Sequence, residues 1–164
     1  MNLKAIIAGL VITASSVMVP EAVKAQAPEG QLALWNAIEA TGTTIKVNEC
    51  EEEGANGWFS YYTGSYQDME IQICTNVAQT TNKRWETLRH EAVHLAQKCE
   101  NPDHGDSFET LKTWSFLEPR VREDLASFIM ESYPRDKWAI ETEAFVMMKF
   151  SNFYIADLVN EACN

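Results

Sequence analysis

The sequence predicts an α+β domain in which a small three-stranded sheet comes early and only helices follow. Three observations lead there. The stretches TTIKVN and WFSYYTGSYQDMEIQIC are rich in β-branched and aromatic residues and bounded by turn residues. Beyond Thr80, apolar residues recur at steps of three and four, the helical period. One further segment with that period, QLALWNAIEATG, precedes the strands.

The first 25 of the 164 residues read as a secretory signal peptide. Lys4 opens it, an uncharged stretch runs from Ala5 to Val19, and Val23-Lys24-Ala25 and Ala25-Gln26-Ala27 offer small residues for cleavage. Pro20 and Glu21 end the apolar run, which is short of the roughly 20 residues that span a bilayer. Cleavage after Ala25 leaves residues 26–164, enough for one domain with its own core. No later stretch is long and apolar enough to cross a membrane, and no repeat is visible. Removing Lys4, Lys24 and Glu21 from 13 basic and 24 acidic side chains leaves 11 and 23. Such an anionic chain is a poor partner for nucleic acid or anionic lipid.

Each element has a local reason. In QLALWNAIEATG, Leu32, Trp35 and Ile38 make an apolar face and Gly42 a C-cap. Ile45 and Val47 alternate with polar neighbours as a short strand. The loop ECEEEGANG follows; its Glu51–Glu53 triplet suits a solvated loop better than a calcium site. Around Thr63-Gly64-Ser65 the pattern is that of a hairpin, with Met69, Ile71 and Ile73 alternating. Thr80, Thr81 and Asn82 are good N-caps for a helix whose stripe is Trp85, Leu88, Ala92, Leu95, Ala96 and Cys99. Asp106 and Glu109 form a capping box, with Phe108, Leu111 and Trp114 as an apolar edge. Pro119 suits the first turn of another helix carrying Val121, Leu125, Phe128 and Ile129. PRDKWAIETEAFVMMKF is apolar round most of its circumference and should be buried; SN breaks it before FYIADLVNEAC.

Cys50, Cys74, Cys99 and Cys163 are an even set in a chain bound for an oxidising compartment, secreted or periplasmic. The favoured pairing is Cys50–Cys74, clamping a hairpin, with Cys99–Cys163 tying the motif helix to the C-terminus. No C-x-x-C pair supports zinc ligation by these thiols.

TLRHEAVHLAQKC carries the chemistry. His90 and His94 project from one helix face at i and i+4, close enough to share a zinc ion. Glu91, about 100° round the helix, is placed to act as general base rather than ligand. The plainer alternative is that all three are surface helix residues. A third ligand must come from elsewhere, and His104, Asp106, Glu141 and Glu143 are the options. His104 stands ten residues after His94 and does not fit the metzincin spacing, where position 100 would be His and is Glu. Glu141 and Glu143 lie inside an apolar helix, where a carboxylate needs a partner: the cation, or a salt bridge to Arg120 or Arg135. The helical wheel does not choose between the two glutamates.

HEAVH with the later ETEA resembles the glutamate-zincin peptidases, in which a Glu-x-x-Ala or Glu-x-x-Ser helix completes the site. That resemblance implies Glu141 as third zinc ligand, Ala144 as the small residue at the helix contact, and a small zincin-like fold. The aspartate that often follows the small residue is Phe145 here. GSYQDMEIQICTN and HEAVHLAQKC are also similar to the mitochondrial ATP-synthase-assembly metalloproteases over residues 64 to 99. The zincin resemblance implies that a sheet edge, Met69 to Ile73 or Trp58 to Tyr62, holds an extended peptide. Tyr133, His104 and Tyr154 are candidates for steadying an oxyanion.

The expected function is therefore a zinc-dependent endopeptidase acting on a peptide or protein substrate, with His90, His94 and Glu141 as ligands and Glu91 as base. Two alternatives are a catalytically inactive binding or assembly protein stabilised by zinc, and an amidase acting on cell-wall cross-bridges.

Overall fold

The computed structural model describes residues 28–51, 54–61, 69–101 and 108–163. The expected signal peptide, Glu52 and Glu53, the Thr63-Gly64-Ser65 turn, His104 and Asp106 lie outside the described residues. Within them, six α-helices accompany a three-stranded mixed sheet, the α+β class that the sequence implies.

Helix α1 (Glu29–Ala40) buries Leu34, Trp35 and Ile38. The chain leaves it through Gly42 at φ +86°, a left-handed turn that glycine enters without a Cβ clash. Strands β1 (Thr44–Asn48), β2 (Gly57–Ser60) and β3 (Glu70–Cys74) follow, in sheet order β1-β3-β2. Strand β3 pairs antiparallel with β2, as the hairpin pattern implies, and parallel with β1, which local pattern does not reveal. The Cys50–Cys74 disulfide forms as expected, but between parallel strands: it staples the chain just after β1 to the end of β3. Closing a loop of sequence separation 24, it stabilises the fold by about 3 kcal/mol in a chain-entropy account.

Helix α2 (Thr81–Cys99) starts at Thr80, whose side chain accepts from the Lys83 N–H. It is the axis of the domain. Strands β2 and β3 pack on one side of it, and the later helices α5 (Trp138–Met147) and α6 (Asn152–Cys163) on others. Leu88, Ala92, Leu95 and Ala96 are buried, as their spacing implies. The Cys99–Cys163 disulfide joins the ends of α2 and α6 across a separation of 64 residues, worth about 4 kcal/mol by the same account.

Between α2 and α5 the structure departs from local expectation. The helix expected after Asp106 does not continue into the described residues, where 108–110 are irregular. The backbone there is pinned to the interior instead, Glu109 N–H donating to the Gln97 carbonyl and the N–H groups of Leu111 and Lys112 to the Glu143 carboxylate. Helix α3 (Trp114–Leu117) is a single turn, leaving Trp114 exposed. Pro119 opens a 3-10 turn, Glu118–Arg120, rather than an α-helix, and Val121 falls in the break before α4 (Glu123–Ser132). Helix α5 is buried on nearly every side, and the chain breaks at Ser151 before α6. No described helix is long and apolar enough to cross a membrane, and the two disulfides fit an extracellular location.

Candidate metal centre

Helices α2 and α5 pack closely against each other, with Ala144 fully buried on α5. That approach brings Glu141 to the histidines. The Nε2 atoms of His90 and His94 stand 3.1 Å apart, and Glu141 Oε2 lies 3.4 and 3.6 Å from them. Ligands about 2.0–2.1 Å from a tetrahedral zinc ion are separated by about 3.3 Å, so the triangle has the size that the ion requires. Glu141 Oε2 and His90 Nδ1 are buried and make no hydrogen bond among the described residues. A buried carboxylate oxygen aimed at two imidazole nitrogens is an arrangement that a cation satisfies. Burial alone would raise the Glu141 carboxyl, but the two imidazoles outweigh it and hold it down at about 2.

Glu143, two residues on, points elsewhere and is fully buried. Its carboxylate accepts from the Gln97 side-chain amide at 2.8 Å and from the N–H groups of Leu111 and Lys112 at 2.8 and 2.6 Å. Gln97 Nε2 also donates to the Ile140 carbonyl, so its Oε1 is left to accept from His94 Nδ1 at 2.8 Å. This orders the tautomer: with Nδ1 protonated, the His94 Nε2 lone pair faces Glu141 and His90. Neither carboxylate uses Arg120, which stands over the Phe116 ring and donates to the Phe116 carbonyl. His90 is held differently, its ring 4.5 Å from that of Phe145 in an edge arrangement.

Glu91 borders the same cleft, a cavity of about 280 Å³ between β2 and the start of α5. Loss of solvent raises its carboxyl above the usual range, against the lowering pull of the two histidines and of a hydrogen bond from the Phe59 N–H. Tyr133 lines the cleft too; burial, then the charges of Glu141 and Glu91, push its hydroxyl up to about 12, so it stays a proton donor. Because β3 is paired on both sides, β2 is the one of the two candidate strands that is an edge strand among the described residues. Gly57 lets it lie this close: a Cβ there would collide with the Gln72 carbonyl and come within 2.8 Å of the Thr87 methyl on α2.

A family model described as "Domain of unknown function (DUF8637)" matches residues 45–163. The chain belongs to this family. The match runs from β1 through α6 and so contains every residue of the centre, leaving α1 outside. No curated protein and no solved structure matches the chain.

In this DUF8637 domain the structure brings His90, His94, Glu141 and Glu91 to one cleft and adds Tyr133 from the oxyanion candidates. Tyr154 is not among the residues of that cleft; its ring stacks on Phe150 at 4.8 Å. Gln97 and Phe145 are the residues that motif reading passed over. Gln97 did leave a signal, a polar residue three after His94 and so on the same side of the helix. Phe145 left none beyond standing where an aspartate is common.

Proposed function

We propose that this DUF8637 domain is a secreted zinc-dependent endopeptidase. The observation that carries the reading is the set of three donor atoms, spaced as zinc ligands are, opening on a cleft bordered by β2, an edge strand among the described residues. His90, His94 and Glu141 hold the ion, and two imidazoles with one carboxylate are a donor set that zinc accepts. The same set also suits ferrous iron. Glu91, a carboxylate beside the donors rather than among them, favours hydrolysis and therefore zinc.

Zinc bound there supplies Lewis acidity for the scissile carbonyl and lowers the pKa of water toward neutrality. The protein's own groups do the rest. The outer edge of β2 aligns an extended peptide by main-chain hydrogen bonds. Glu91, made more basic by desolvation and held by the Phe59 N–H, takes the proton of the attacking water and passes it to the departing amine. Tyr133 donates its O–H to the oxygen on which charge develops. Gln97 keeps His94 in the tautomer whose Nε2 is free.

The test compares zinc-loaded mature protein with Glu91→Gln, reading zinc content and turnover of a peptide mixture. Both proteins should carry one zinc, and the variant should lose about 10²–10⁴-fold in rate. Full activity in a zinc-bearing variant would remove Glu91 from the mechanism.

A further inference from the structure

Three cavities join in a line across the histidines. The one over Glu91 and His94 shares Gly57, His90, Glu91 and Tyr133 with a neighbour of about 280 Å³. That neighbour shares Phe128, Phe145 and Met148 with a cleft of about 640 Å³ between α4 and the end of α5. Phe145 is the hinge of the arrangement, because the ring that packs on His90 also walls the large cleft. Ring-to-ring steps of 4.5 Å from His90 to Phe145 and 5.5 Å from Phe145 to Phe128 lead along its lining. An extended peptide covers such a distance in about three residues.

The large cleft has a chemistry of its own. Leu125, Phe128, Phe145 and Phe150 line it, and Phe128 is 47% exposed, a large apolar surface held open to solvent. Arg120, Arg122 and Lys149 stand along it, three of the 13 basic residues of a chain whose net charge is −11. Two carboxylates approach them: Asp124 accepts from the Arg122 guanidinium at 3.0 Å, and Glu86 lies 3.5 Å from Lys149. Both pairs are solvent-exposed and therefore weak, so an incoming carboxylate can compete for the cations.

We propose that this cleft sets substrate preference, taking a bulky apolar side chain two or three residues from the cleaved bond together with an adjacent Asp or Glu. The proposal rests on the peptidase reading. It commits to acidic side chains rather than basic ones, because the cleft lining carries three cations and one carboxylate in a chain whose net charge is −11.

An end-blocked degenerate peptide library, digested by zinc-loaded mature protein and read by mass spectrometry, tests it. Cut sites should be enriched, on one side only, in Phe, Leu or Met next to Asp or Glu. Arg122→Glu combined with Lys149→Glu changes two exposed side chains, and a matching melting temperature confirms that the variant folds. It should lower kcat/KM for acidic peptides about tenfold, through KM, while their Gln counterparts change less than about twofold. Phe128→Ala should erase the apolar preference. Cutting without either preference would overturn the cleft and leave the peptidase standing. If nothing is cut, anisotropy titration of a labelled Phe-Glu peptide decides: weakening by the double reversal keeps the cleft and discards the peptidase, and unchanged binding discards the cleft.

Discussion

His90 and His94 hang from the same helix one turn apart, yet the protein holds them in opposite ways. Behind His94 lies a buried polar chain, from Gln97 to Glu143 to the N–H groups of Leu111 and Lys112. Behind His90 lies an aromatic wall, Phe145 backed by Phe128 and Tyr133, and the His90 Nδ1 meets no hydrogen-bond partner among the described residues. The difference traces to one helical step. Three residues after His94 comes Gln97, whereas three residues after His90 comes Val93. One imidazole thus has its tautomer set by hydrogen bonding, and the other has only its position set, by shape.

Four experiments bear on that contrast. Glu143→Ala should act most strongly, because it removes the shared acceptor of one Gln97 amide hydrogen and of the Leu111 and Lys112 N–H groups. A loss of about 3–5 kcal/mol is expected in urea denaturation of the metal-free protein. A loss under about 1 kcal/mol would mean that water replaces the carboxylate. Phe145→Ala, on the aromatic side, should cost about 3 kcal/mol through lost packing. Its zinc affinity should fall less than that of a Gln97 variant; the reverse order would invert the comparison.

Zinc itself should stabilise the wild type by about 2.7 kcal/mol at a free concentration 100 times Kd, read as a calorimetric shift of the melt. Glu141→Ala should abolish that increment, and an unmoved wild-type melt would show that the donors hold no zinc. Gln97→Leu should have the smallest effect on free energy, a 10–100-fold loss of zinc affinity by chelator competition. Imidazole nitrogen NMR should then show the His94 tautomer mixed while the His90 signals stay as they were.

Much of the fold was legible because its causes are local. The Gly42 cap, the Thr80 cap, the β2–β3 hairpin and the break at Ser151 each rest on residues within a few positions of one another. The Asp106–Glu109 capping box shows where local reading fails. Its signal is as good as that at Thr80, but the segment after it is pinned to Gln97 and Glu143, and tertiary hydrogen bonds outrank a cap worth about 1 kcal/mol. The parallel β1–β3 pair was hidden for the same reason, since register across a crossover leaves no mark on neighbouring residues.

By itself, the sequence determined the α+β order of elements and the placing of His90, Glu91 and His94 on one helix. Each follows from composition or from the 3.6-residue period. Which glutamate faces the histidines was decided only in three dimensions. On a helix apolar all round, Glu141 and Glu143 are equivalent until a neighbour breaks the symmetry. Here α2 packs against one side of α5, and the N–H groups of Leu111 and Lys112 close on another. A buried carboxylate turns to wherever donors are found, and the backbone brought those donors from outside the helix.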